Sequence, residues 1–321
     1  MQRRRPFLPR SNKYRAGGSS VGRFRIQLPA TSANLGAAFD TAAIALDFYL
    51  TVEAEAAESW SIEATGRNID LCSQIEGNLI LDTYAALLAR EAKPAQPLAL
   101  RVDNQIPLGM GCGSSAAGRL VAIALAVHFG ELPWTSERIL AEACELEGHP
   151  DNAAACWLGG MIVAAGEGEA LQIARVEPPA AWKALVVMPG ASLATSEARA
   201  VLPDSYSRHD VVANIQAASL LGLAFAQQRA DLLKAAMADR IHQPYRAAIC
   251  SLLPLLLPLA GCSGILGTAL SGAGPSVLLI VESARITKAH EAVQAAAHGK
   301  QPIEVLDATF SSHGGAYFWP H

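Results

Sequence analysis

The segment Pro107-Leu108-Gly109-Met110-Gly111-Cys112-Gly113-Ser114-Ser115-Ala116-Ala117 constrains this 321-residue chain more than any other stretch. Glycines at alternate positions let the backbone turn sharply and approach a ligand closely. Two serines then open an apolar run that predicts a buried helix over 116–129. Free N–H groups at such a helix start, with the positive end of its dipole, suit an anion. There is no G-K-[ST], so this is not a Walker loop and it brings no phosphate-binding lysine. Backbone amides, serine hydroxyls and a metal would have to neutralise a triphosphate. Taken alone, a plain glycine turn with a serine cap explains the segment too.

Around this loop, alternating apolar residues predict strands at 24–28, 46–54, 60–64 and 98–102. Helices are expected at 79–90 and 137–147, then strands at 158–165, 171–176 and 184–188. The second half predicts helices at 211–227, 231–238 and 246–259, with Pro254 and Pro258 kinking or ending the last. Strands at 265–270 and 277–281, a helix at 286–297 and strands at 303–310 and 316–318 complete the chain. The irregular alternation indicates an α+β fold and not a doubly wound sheet. Glu177-Pro178-Pro179-Ala180-Ala181 is the expected seam, dividing the chain into lobes at 24–178 and 179–321.

Residues 1–25 hold seven arginines and Lys13 with no acid, whereas the rest of the chain is acidic. Residues 1–23 are expected to be a disordered basic extension outside the fold. The arm carries few aromatics, so neither a nucleic-acid nor a membrane partner is expected. The apolar stretches at 153–165 and 252–266 are too short and too interrupted to span a bilayer. Six scattered cysteines with no C-x-x-C pair, and no signal-peptide pattern, point to reduced thiols and a cytoplasmic protein.

Two further loops accompany the first. Pro29-Ala30-Thr31-Ser32-Ala33-Asn34-Leu35-Gly36-Ala37-Ala38-Phe39-Asp40 follows the first strand, and Leu270-Ser271-Gly272-Ala273-Gly274-Pro275-Ser276 joins two apolar strands. In this order the three segments resemble the GHMP small-molecule kinases, and the P-A-T-S-A-N-L-G-x-x-F-D pattern is similar to that of the homoserine kinases among them. The resemblance runs from about Phe24 to the end. It implies a two-lobed GHMP kinase fold, with a ribosomal-protein-like βα N-terminal lobe and a ferredoxin-like C-terminal lobe. It further implies ATP bound by residues 107–117, Mg²⁺, and phosphorylation of the L-homoserine hydroxyl on the route to threonine. A homodimer is implied as well. The alternatives are a kinase for another small carboxylate-bearing alcohol such as mevalonate, and a non-catalytic ligand sensor.

Ala143-Cys144-Glu145-Leu146-Glu147-Gly148-His149-Pro150-Asp151-Asn152 supplies carboxylates at a helix end. By the resemblance, Glu145 holds the metal with Ser115, Glu147 is the fallback, and Ser114 and Ser115 serve catalysis. A zwitterionic acceptor wants guanidinium forks for its carboxylate and acceptors for its ammonium. Arg199, with Thr195 one helical turn before it, and Arg246 match the family's A-R-x-x-L-P and H-x-P-Y-R stretches. The resemblance adds Asn34, Asp40, His149 and Asn152 to the acceptor site and leaves the general base unassigned. Two departures stand out. Cys112 replaces the usual leucine, and Ala37-Ala38 replaces Pro-Gly, where a positive φ at Ala38 would cost about 1 kcal/mol.

Overall fold

A computed structural model describes residues 22–319. The extension expected at 1–23 therefore lies outside the described residues up to 21, and Arg23 already opens the first strand. The first lobe has strands β1 (Arg23–Ala33), β2 (Ala42–Ala56), β3 (Ser61–Gly66), β4 (Leu98–Asn104), β5 (Met161–Ala165) and β6 (Gln172–Val176). Its helices are α1 (Ile69–Cys72), α2 (Leu79–Arg90), α3 (Ser114–Phe129), α4 (Ser136–Glu147) and α5 (Asp151–Leu158). Long β2 is the spine of the sheet, antiparallel to β1, to β4 through 50–56 and to β5 through 42–44. The strand order is β3-β4-β2-β5-β6, with β1 also on β2.

Helix α3 is apolar on every side, and all residues from Leu120 to Ala126 are fully buried, so it forms the core of this lobe. The Asn78 side chain accepts from Ile80 N and Leu81 N to cap α2, and Thr135 Oγ1 accepts from Arg138 N to cap α4. Gly148, in the left-handed region, ends α4.

The second lobe carries β7 (Trp182–Pro189), β8 (Ile265–Leu270), β9 (Val277–Glu282) and β10 (Ile303–Ala308) in the antiparallel order β10-β7-β9-β8. Its helices are α6 (Thr195–Ala200), α7 (Arg208–Ala226), α8 (Leu233–Ala236), α9 (Gln243–Arg246), α10 (Leu252–Leu256) and α11 (Ile286–Ala297), and α12 (Gly315–Phe318) closes the chain. Fourth-first-third-second, with helices after the first and third strands, is the ferredoxin-like arrangement. No helix among the described residues is long and apolar enough to cross a membrane.

The structure corrects four expectations. The apolar run through 165 is not one strand from 158: it is α5, then Gly159 and Gly160 at positive φ, then β5. A continuous apolar run carries no periodicity to separate helix from strand. The helix expected at 246–259 breaks into α9, α10 and a 3₁₀ turn at Leu257–Leu259, with Pro254 inside α10 and Pro258 in the turn. The helix expected at 231–238 is reduced to α8 after a 3₁₀ turn. The strand expected at 316–318 is helical turn α12, because Gly314 and Gly315 press against Trp157 and leave no strand edge to pair. The chain end thus returns to the first lobe, where Ser311 N donates to Ala45 O and Gly160 N donates to Ser311 O.

Candidate active site

The three loops singled out in the sequence interlock. Thr31 N donates to Cys112 O (3.1 Å), Gly272 N donates to Ala33 O (3.1 Å), and Ser271 Oγ donates to Gly111 O (2.7 Å). Gly111 and Gly113 both have φ 72°, and a Cβ on either would collide with Ser271 O or Thr31 Oγ1. Both positions therefore require glycine. Together the loops wall a cavity of about 750 Å³.

At one end of the cavity stands the start of α3. Left-handed Gly113 precedes it and no side chain caps its first N–H groups, which leaves the anion site expected there open. Leu108, Gly109, Gly111, Cys112, Gly113, Ser114 and Ser115 line the cavity. Pro107, Met110, Ala116 and Ala117 do not. The two alanines are fully buried and serve the core, because a helix entering the protein interior turns its second residues away from its mouth. Burial pushes the Cys112 thiol up to about 12, so this side chain acts as a small hydrophobe and not a nucleophile.

The carboxylate that faces this end is Glu147, the fallback in the sequence reading. Ser115 Oγ and Arg119 Nη1 both donate to Glu147 Oε1, at 2.7 and 2.6 Å, and Arg119 Nη1 also meets Leu146 O. Glu145 is exposed and outside the cavity wall. Two residues apart on a helix means about 200° of rotation, so only one of them faces α3. Glu142, fully buried between Arg90 (2.7 Å) and Arg138 (3.0 Å), pins α4 in this orientation. A carboxylate with a serine hydroxyl is an all-oxygen donor set, which fits Mg²⁺.

At the other end, the fork of Arg199 grips Asp40 through Nη1–Oδ2 (3.0 Å) and Nη2–Oδ1 (2.8 Å). Buried Arg246 donates from Nε to Ala198 O (2.9 Å) and from Nη1 to Gly272 O (3.4 Å). Its Nη2 has no protein partner among the described residues, and the side chain lines the cavity. His149 Nδ1 lies 2.6 Å from Asp151 Oδ1. Burial depresses the His149 pKa, but the Asp151 hydrogen bond and charge, helped by Asp40 and Glu147, outweigh it and raise the pKa overall. His149, Asp151 and Asp40 bring ligand atoms within 4.8 Å of one another, an acidic corner suited to a cationic group.

All seven residues expected at the acceptor end line this cavity: Asn34, Asp40, His149, Asn152, Thr195, Arg199 and Arg246. Asn34 and Asn152 are engaged in holding the walls. Asn34 Nδ2 donates to Gly272 O and its Oδ1 accepts from Asp40 N, while Asn152 Oδ1 accepts from Thr31 Oγ1. Ala38 does not take the positive φ that would have strained it. Positive φ falls instead on Asn34 (70°), Leu35 (43°), Gly36 (81°) and Asp40 (52°).

Sequence reasoning missed two parts of the cavity. Arg119 was legible as the position one turn after Ser115. The apolar wall of Leu71, Leu79, Val102, Ile106 and Leu108 left no local signal, because it gathers residues from four stretches of chain.

The N-terminal domain model of the GHMP kinases matches residues 78–160, and their C-terminal model matches residues 223–299. The homoserine kinase of Solibacter usitatus is 42% identical over 81% of this chain and 85% of its own length. That of Deinococcus radiodurans is 36% identical over 79% and 83%. The crystal structure of homoserine kinase from Cytophaga hutchinsonii superposes with a TM-score of 0.79 over 94% of this chain and 99% of that one, at 23% identity. The crystal structure of L. major mevalonate kinase in complex with R-mevalonate shares the fold alone, with a TM-score of 0.68 at 14% identity over 93% of this chain and 100% of that one. On these matches, the chain belongs to the homoserine kinase family of the GHMP kinases.

Proposed function

We propose that this protein transfers the γ-phosphoryl group of ATP to the side-chain hydroxyl of L-homoserine. The observation that carries the reading is one cavity joining the uncapped start of α3 to the Arg199–Asp40 pair and the free face of Arg246. An anion site at one end and a zwitterion site at the other fit a phosphorylated nucleotide and an amino acid.

In this reading the phosphates lie against the amides of 111–115, and the apolar wall of Leu71, Leu79 and Val102 takes the adenine. Glu147 and Ser115 would hold Mg²⁺, which would supply charge neutralisation for the bound phosphates. Arg119, on α3, is the cation at the phosphate end, where the glycine loop has no lysine. Arg246, with Arg199 and His149, receives the acceptor carboxylate, and Asp40 faces its ammonium. The acceptor hydroxyl oxygen forms the new bond to phosphorus as the bond to the β–γ bridging oxygen breaks. ADP departs, and the hydroxyl proton is released with the phosphoester formed. A loose transition state needs little early deprotonation, so alignment and electrostatics suffice without a dedicated base.

The test is ADP release from Mg·ATP with L-homoserine, mevalonate, L-serine, galactose or no acceptor. Turnover selective for L-homoserine is expected. Preference for another alcohol would overturn the acceptor, and silence with ATP still bound would favour a ligand sensor.

A further inference from the structure

His242 precedes α9, and its side chain is fully buried and does not line the cavity. Its ring makes two hydrogen bonds, to Gly36 O from Nε2 (2.9 Å) and to Arg246 Nη1 from Nδ1 (3.1 Å). A guanidinium only donates, so Nδ1 is the acceptor and the single ring proton sits on Nε2, donated to Gly36 O. The partners fix both the neutral state and the tautomer. The imidazole also stacks on Phe39 (5.1 Å between centroids), and the Arg246 guanidinium lies 5.3 Å from the same ring. A Cβ on Gly36 would lie 2.0 Å from Met237 O, so the backbone that receives the ring's hydrogen bond packs close against Met237 and requires glycine.

We propose that neutral His242 is a positioning residue that aims Arg246 at the acceptor carboxylate. This rests on the reading that Arg246 receives that carboxylate. With Nε held by Ala198 O and Nη1 held by His242 and Gly272 O, the guanidinium plane is fixed and Nη2 is presented to the cavity. A second proton on the ring would set a donor against a donor and release the fork. The charged groups facing the ring are Asp239, whose Oδ2 lies 3.6 Å from Nε2, Arg246, and Asp40 at longer range. Burial lowers the His242 pKa against the opposing pull of Asp239, and Arg246 adds to the lowering. The Asp239 carboxylate is itself engaged by the N–H groups of Ile241, His242 and Gln243.

Steady-state kinetics of two substitutions test this. His242→Asn keeps an acceptor near the Nδ1 position, whereas His242→Gln keeps a donor near Nε2 and removes the acceptor from Arg246. We expect His242→Gln to raise KM for L-homoserine about tenfold with KM for ATP within about twofold, and His242→Asn to recover most of that loss. Equal losses in the two variants, or losses falling equally on ATP, would overturn the positioning role. Arg246→Met separates the two readings. An unchanged KM for L-homoserine there removes Arg246 from the acceptor site. A raised KM there beside an unaffected His242→Gln variant defeats the role of His242 alone.

Discussion

At the phosphate end of the cavity, one continuous stretch, 109–115, presents backbone and hydroxyl groups at the start of a buried helix. At the proposed acceptor end, side chains converge from 34–40, 149–152, 195–199 and Arg246, beside the backbone of the turn at Gly272. A main-chain site survives most side-chain changes but fails when the backbone path is disturbed. A side-chain site depends on each residue and on whatever orients it, as Arg199 orients Asp40. Anion binding by amides needs only a helix start and glycines. Recognition of an amino acid needs fixed charges of both signs, which no single segment can place.

The largest expected effect is the exception to this contrast, since Glu147 is a side chain at the main-chain end. Glu147→Gln should lower kcat about a thousandfold, while Glu145→Gln stays near wild type. Steady-state assays across a Mg²⁺ titration check it, and the reverse ranking would return the metal role to Glu145. Next comes the backbone itself. Gly111→Ala should cost about 3 kcal/mol of stability in urea unfolding, since the left-handed conformation and the collision with Ser271 O add together. A loss below about 1 kcal/mol would mean the loop yields and the contrast is weaker than drawn.

Arg199→Ala should raise KM for L-homoserine about tenfold and leave KM for ATP nearly unchanged. Equal change toward both substrates would remove the residue from the acceptor end. The smallest effect concerns His149, whose pKa is raised in the folded state. Its contribution to stability is full below the ordinary histidine value of about 6.5 and is lost as pH rises through the folded pKa. The stability advantage of wild type over His149→Gln should therefore shrink, by about 1 kcal/mol or less, between pH ~5.5 and ~8.5 in denaturant titrations. An advantage that grows with pH would contradict the pairing with Asp151.

Legibility followed the range of the interactions. Helices α2 and α11 have the predicted bounds because an amphipathic repeat resides in their own residues, with Asn78 next in sequence to cap α2. α5 was not legible, since after Asp151 and Asn152 its residues 153–158 offer only an unbroken apolar run, and its helicity depends on packing beside β1 and β2 and on Trp157 Nε1 donating to Ser136 Oγ. Glu145 and Glu147 are equivalent as letters. Only the rotation of α4, pinned at Glu142, turns the second toward Ser115.

By itself the sequence determined the α+β class, the glycine-led start of α3, the three glycine-bearing loops and the set of charged residues around them. These are properties of residue type and near-neighbour spacing, which backbone sterics and helix periodicity convert directly into local shape. The tertiary structure alone decided that Glu147 and not Glu145 meets Ser115, that Arg119 joins them, that an apolar wall stands beside the loop, and that His242 holds Arg246. Each of these depends on groups distant in sequence coming within about 3–4 Å. Contacts of that kind are selected by packing of whole elements, for which no local pattern stands in.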